Sequence, residues 1–264
     1  MDDLSVARMA ARAARSVILD WFARTGEPEM KGRVDPVTEA DRAAEEAIVA
    51  VLRRHRPDDG VLAEEGSASE AVSGRTWVID PLDGTVNFVH GIPQVAVSIA
   101  LEDAAGGLAG VVLDVFRDEE FAAARGEGST LNSSPMRVSH TTDMVRAVFS
   151  TGFAYDRAER AASYTAVVAA VLGEAQGVRR LGSAALDLAW VACGRYEGHW
   201  EFTLKPWDLA AGVLLVTEAG GTVTDSYGDK ARPDDVVASN GHLHEQLRKI
   251  VAEHRPEHLG GPGD

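Results

Sequence analysis

The chain has 264 residues, 45% of them hydrophobic and 25% charged, the profile of a globular protein with room for one large domain or two small ones. Its 41 acidic and 26 basic residues leave a net charge of -15, which disfavours nucleic acid and anionic membranes as partners. The one cysteine, Cys193, has no partner for an intramolecular disulfide, and the sequence holds no apolar run of the length a membrane-spanning helix needs.

Apolar residues Val6, Ala10, Ala13, Val17, Ile18, Trp21 and Phe22 recur at helical spacing and predict an amphipathic helix over residues 3–24. The opening "MDDLSVARMAARAARSV" lacks the continuous apolar stretch and small-residue cleavage site of a signal peptide, so the expected compartment is the cytoplasm. "TGEPEMKGRVDPVTEAD" then breaks the helical pattern with glycine and proline. Thr38 begins "TEAD", similar to a capping box, ahead of "RAAEEAIVAVLRRH", a second helix with Ala44, Ile48, Val51 and Leu52 inward. Short extended runs follow: "GVLAEE", "TWVID", "VAVSIALE", "LAGVVLDVF" and "EEFAAARG". "GEGSTLNSSP" reads as turns.

Past Ser139–Asp143 the chain alternates. "AVFSTGF", "VRRLG", "YEGHWEF", "GTVTD" and "VVAS" read as strands, and residues 156–172, 184–194, 207–219 and 241–254 as helices. Such alternation predicts sheets covered by helices. The expected body is mixed α/β, layered helix–sheet–helix–sheet–helix, in two subdomains: residues 1–142 of α+β type, with most of the acidic motifs, and residues 143–254 of α/β type, with the residues expected to line a substrate. Residues 255–264 read as a disordered tail.

Four acidic spots fall where elements end: "AEEGS" with Glu64 and Glu65, "IDPLDGT" with Asp80 and Asp83, "KPWDLAAG" with Asp208, and "VTEAD" with Asp41. Loop ends on a rigid scaffold are favoured places for catalytic groups. Taken singly, Asp208 reads as a helix N-cap or first-turn acid, Glu64 and Glu65 as a solvated turn, and Asp41 as part of the capping motif. Asp80 and Asp83 are different. Two carboxylates three residues apart at the end of a buried strand either raise a pKa or hold a cation between them. Hard divalent cations such as Mg²⁺ take oxygen ligands of this kind. In "DGTVNF", Gly84 permits a tight turn and Thr85 opens a short helix whose first N–H groups suit a phosphate. Together these features suggest metal-assisted phosphoryl chemistry.

"WVIDPLDGTVNFVHGIP" and "WDLAAGVLLVTEAGG" resemble the two signature motifs of the inositol monophosphatase family. "DPVTEAD", "LAEEGS" and "RRLGSAALDLAWVACGR" resemble further blocks of that family in order and spacing, over about residues 5–250. The resemblance implies the αβαβα sandwich of the sugar-phosphatase type and a lithium-sensitive, magnesium-dependent phosphatase. It implies two to three Mg²⁺ per active site. Glu64, Asp80 and the Leu82 carbonyl would hold the first, Asp80, Asp83 and Asp208 the second, and Glu64 with water a third. Thr85 with Asp41 would orient the attacking water, and the N–H groups of Gly84 and Thr85 would cradle the phosphate. Asp83, Ser183, Ala184 and Glu201 would face the substrate.

Inositol 1-phosphate is the substrate this branch implies, with histidinol phosphate, fructose 1,6-bisphosphate and a nucleotide 3′-phosphate as the alternatives within the superfamily. A homodimer is expected on resemblance alone. A non-catalytic binding or assembly protein on the same fold is the alternative of another class. It predicts a missing ligand, and Glu64, Asp80, Asp83, Thr85, Asp208 and Asp41 are all present. Lys205 reads as a solvated or structural residue with contact to the substrate or phosphate as the alternative, His90 as a helix-end or packing residue, and Cys193 as a small core residue.

Overall fold

Helix α1 (Asp3–Phe22) lies beside α2 (Glu39–His55) in this computed structural model, which describes residues 1–22, 29–30 and 36–256. The last two residues of the predicted first helix, and residues 257–264 of the predicted tail, lie outside the described residues. Thr38 caps α2 by accepting the Ala40 N–H at 3.1 Å, and Asp41 accepts the Thr38 N–H at 2.7 Å, which completes the capping box. Both helices turn alanine, valine and isoleucine inward.

Strands β1 (Glu29–Met30) and β2 (Pro36–Val37) pair as a small antiparallel ribbon. The large sheet comprises β3 (Gly60–Ala63), β4 (Ala68–Ser69), β5 (Thr76–Asp83), β6 (Ala96–Asp103), β7 (Gly106–Asp114), β8 (Glu119–Ala124), β9 (Gly128–Leu131) and β10 (Ser134–Met136). Their spatial order is β10-β9-β8-β7-β6-β5-β3-β4, antiparallel throughout except for the parallel pair β3–β5. The short helix α3 (Thr85–Val89) follows β5 directly. The second sheet comprises β11 (Val148–Thr151), β12 (Gly177–Arg179), β13 (Gly198–Phe202), β14 (Thr222–Thr224) and β15 (Asp235–Ser239), in the order β12-β11-β13-β15-β14. Its helices are α4 (Arg157–Leu172), α5 (Ala184–Ala192), α6 (Pro206–Glu218) and α7 (His244–His254).

Three cores separate five layers. Trp77, Ile79, Val97, Ile99, Val111 and Leu113 face α1 and α2 on one side of the large sheet. On the other side Val78, Ala96, Ala100 and Val112 meet α5 and α6, which also pack on the second sheet. Phe149, Trp200, Phe202 and Val237 then face α4 and α7. The period-2 alternation along β5, β6 and β7 feeds two cores at once, so these strands are apolar on both faces. Helices α5 and α6 are wedged between sheets and are apolar almost all round, as a doubly covered helix must be. The mixed α/β layered sandwich expected from the sequence is the architecture observed.

One expectation is corrected. "GEGSTLNSSP" is not all turn: β9 and β10 pair through Asn132 and Ser133, both in the left-handed region at φ 48 and 65. That is the backbone a two-residue hairpin loop needs. The strands were hidden because they are short and polar.

Candidate metal and phosphate site

Strand β5 carries the apolar run Trp77–Ile79 into the body and then breaks register between Asp80 and Asp83. At the break the Asp80 carboxylate accepts the Leu82 N–H at 2.9 Å, which folds the turn back on itself. Asp83 is gripped from across the molecule. Its Oδ2 accepts the Ser183 hydroxyl at 2.6 Å and the Ala185 N–H at 2.8 Å, so the N-terminus of α5 is aimed at it. Asp208 is the third residue of α6 and accepts the Lys205 N–H at 2.8 Å. The capping role read for Asp208 in isolation is therefore real, and it also places the acid in the cleft. Glu64 sits in the loop after β3. Buried Glu45 of α2 pins that loop by accepting the Glu65 N–H at 2.7 Å and the Ser67 N–H at 2.8 Å.

Glu64, Asp80, Asp83 and Asp208 line one cleft of about 430 Å³, together with Leu82, Gly84, Thr85, Ser183, Ala184 and Glu201. Every site residue expected from the sequence except Asp41 lines this cleft. Asp41 lies just behind it, buried, with Oδ1 accepting the Thr85 hydroxyl at 3.0 Å. Its capping role and its contact with Thr85 coexist because they use different oxygens. Gly84 adopts φ 98, and a Cβ there would lie 2.8 Å from the Gln94 carbonyl, so only glycine fits.

The electrostatics are those of crowded, dehydrated acids. Burial raises the Asp80 carboxyl well above the usual range, and the charges of Glu64, Asp83 and Asp208 raise it further. Burial and then Asp83 push Asp208 up to about 8. Asp83 is raised by burial against the opposing pull of Ser183 and the α5 N–H groups. Asp41 is also raised by burial.

Among the described residues, no three His, Cys, Asp or Glu side chains are drawn into a closed metal cage. The donor set fits a hard divalent cation: four carboxylates and a carbonyl, all oxygen, with Asp80 raised by burial and by the charges of the other three acids.

Several residues of the cleft were not singled out in the sequence. Arg157 and Arg180 line the wall, and Gly152 leaves space for Glu201. Asn87 ties the turn after β5 to the loop before α5, donating to the carbonyls of Gln94, Leu181 and Gly182 at 2.9, 2.8 and 3.2 Å. Asp187 and His199 are buried beside Glu201. Asn87 stands inside a quoted motif and could have been flagged there. Asp187 and His199 carry no local signal, since only the packed fold dehydrates them. Cys193 sits at the end of α5 with its thiol raised by burial, an inert group.

An acid-lined cleft between two helix-covered sheets, closed by a glycine turn, defines a class of layered phosphoryl-processing proteins. The inositol monophosphatase family is matched over residues 2–257, and the chain belongs to it. It is 42% identical to the Nus factor SuhB of Pseudomonas aeruginosa, covering 97% of this chain and 98% of that protein. It is also 42% identical to the inositol-1-monophosphatase of Synechocystis sp., over 94% and 88%. The crystal structure of the extragenic suppressor protein suhB from Bartonella henselae superposes with a TM-score of 0.90 at 39% identity, over 94% of this chain and 97% of that one. No helix among the described residues is long and apolar enough to cross a membrane.

Proposed function

We propose that this chain is a Mg²⁺-dependent phosphomonoesterase acting on a sugar or polyol phosphate, with inositol 1-phosphate as its first substrate. The carrying observation is the gathering of Glu64, Asp80, Asp83 and Asp208 in one cleft beside the Gly84–Thr85 turn. Family membership and the relatives named inositol-1-monophosphatase support a phosphatase.

Glu64, Asp80 and the Leu82 carbonyl would hold one cation, Asp80, Asp83 and Asp208 a second, and Glu64 would serve a weaker third. Bound there, the cations supply charge neutralisation for the phosphate and a lowered pKa for water. The first N–H groups of α3 at Gly84 and Thr85 meet the phosphate oxygens, having no acceptor within their own helix. The Thr85 hydroxyl donates to Asp41 Oδ1, so its oxygen lone pair is turned outward to orient the attacking water and relay its proton to Asp41. Ser183 and Ala184 wall the alcohol, and Glu201 accepts one of its hydroxyls. No histidine or cysteine nucleophile is needed, since phosphoryl transfer is mainly positioning and charge stabilisation.

The test is a phosphate-release screen with Mg²⁺ over inositol 1-phosphate, histidinol phosphate, fructose 1,6-bisphosphate and a 3′,5′-nucleotide. Release fastest from inositol 1-phosphate is expected, and no release from any ester would overturn the reading. The name Nus factor carried by the Pseudomonas relative favours a second reading, an assembly role alongside or instead of catalysis. The complete acid set argues against a purely non-catalytic form. The protein is also proposed to be a homodimer, and light scattering giving a monomer at micromolar concentration would refute this.

A further inference from the structure

Three buried polar groups of the second sheet and α5 have no task in that reading: Ser150, His199 and Asp187. They form a chain that ends on Glu201. Ser150 Oγ lies 3.0 Å from His199 Nδ1, with the Asp187 carboxyl close by. Asp187 Oδ2 stands 4.0 Å from the same ring nitrogen. On the far side of the ring, Nε2 has no hydrogen-bond partner at normal length, and Glu201 Oε2 lies 3.5 Å away. The His199 side chain is wholly buried. Glu201 in turn leans on Gly152, where any Cβ would overlap its carboxyl group.

We propose that His199 is a positioning residue for Glu201: its Nε2–H, set as the donor by Ser150, holds the Glu201 carboxylate toward the substrate alcohol in the space Gly152 leaves open. This rests on the phosphatase reading, in which Glu201 meets a substrate hydroxyl. The hydrogen-bond bookkeeping selects the arrangement. Burial keeps the ring neutral, so one nitrogen donates and the other accepts. Two nearby buried carboxyls do not both ionise, so once Glu201 or Asp187 loses its proton, at about pH 8 for Glu201, the pair holds a single proton. With that proton on Asp187, it donates to Ser150 Oγ, Ser150 donates to Nδ1, and Nε2–H donates to Glu201. With it on Glu201, every donor reverses and Glu201 offers the substrate a proton instead of an acceptor. Asp187 is the deeper of the two, 1% exposed against 8%, so it is the one that keeps the proton. The first arrangement also gives the buried Nε2–H an acceptor, which a dehydrated ring N–H requires.

Two measurements decide this. In protein carrying ¹⁵N-histidine, two-bond ¹H–¹⁵N spectra at about pH 9, above the value of about 8 to which burial pushes Glu201, should show His199 as the Nε2–H tautomer, its signals identified by their loss in His199→Gln. An Nδ1–H tautomer or a doubly protonated ring overturns the proposal. In kinetics with Mg²⁺, His199→Phe should raise KM for inositol 1-phosphate about tenfold, with an effect on p-nitrophenyl phosphate about fivefold smaller. His199→Gln, which returns an N–H close to the Nε2 position, should recover most of the loss. Equal losses on both esters, or no rescue by glutamine, would also sink it. Failure of the phosphatase reading shows separately, as wild-type protein that releases phosphate from neither ester, and the tautomer measurement still decides the positioning role.

Discussion

At Asp83 one carboxylate joins the two halves of the cleft. Both its hydrogen bonds, from Ser183 and from the Ala185 N–H, end on Oδ2. Asp83→Asn keeps an amide oxygen for those donors and removes the charge a cation needs. The expected outcome is a fall in kcat of about a hundredfold or more, with a melting temperature close to wild type. Near-normal kcat would remove Asp83 from the metal site. Gly84 makes a separate prediction. Alanine there meets both a left-handed backbone, costing about 1–2 kcal/mol, and overlap with the Gln94 carbonyl. Gly91→Ala is the matched control, since Gly91 also has positive φ, at 68, but open space beyond it. Urea unfolding should show Gly84→Ala losing clearly more stability than Gly91→Ala. Equal losses would mean that the turn relaxes around the new methyl group.

Among elements, α5 shows how local chemistry and function overlap. Ser183 caps it weakly, accepting the Leu186 N–H at 3.4 Å, while its hydroxyl hydrogen goes to Asp83. Ser183→Ala therefore removes a cap and a partner of a buried acid. A loss of about 1–2 kcal/mol is expected in chemical denaturation, together with weaker Mg²⁺ activation in a metal titration. Unchanged activation would confine Ser183 to capping. The same helix shows what a sequence does and does not reveal. Strands β5 to β8 and helices α1, α2 and α4 to α7 were legible, because apolar periodicity reports which faces are buried. The β9–β10 hairpin was not, because polar strands at a sheet edge carry no such pattern. Of the cleft acids, Asp80 and Asp83 were legible from local pattern, two acids closing a buried strand, whereas Glu64 and Asp208 read singly as a turn acid and a helix cap and were tied to the site by the family resemblance. His199 alternates with Trp200 along β13, but nothing local says that the face opposite Trp200 is sealed by α5. Asp187 likewise resembles an ordinary first-turn acid of α5 until the fold buries it.

Over the whole molecule, the cleft concentrates negative charge on a chain that already carries -15. Asp208 and Glu201 come from α6 and β13, and burial pushes both up to about 8. Their ordinary values, 3.8 and 4.5, apply in the unfolded chain. Between those limits the folded state binds more protons than the unfolded state, so stability falls as pH rises. The contribution is fully present below about pH 4 and is lost through about pH 8. Protein stripped with EDTA should therefore gain melting temperature as pH drops from about 8 to about 5, and Asp208→Asn should flatten that slope. A divalent cation replaces the protons as the source of neutralisation, so it should act most strongly at the high end. At a hundredfold excess over its Kd, Mg²⁺ should add about 2.7 kcal/mol, or roughly 5–10 °C for a chain of this size. The shift should shrink toward about pH 5, where protons already occupy the acids. A Mg²⁺ shift that is equal at both pH values, or absent in wild type while Asp208→Asn melts unchanged, would mean that the four carboxylates do not act together as one cation site.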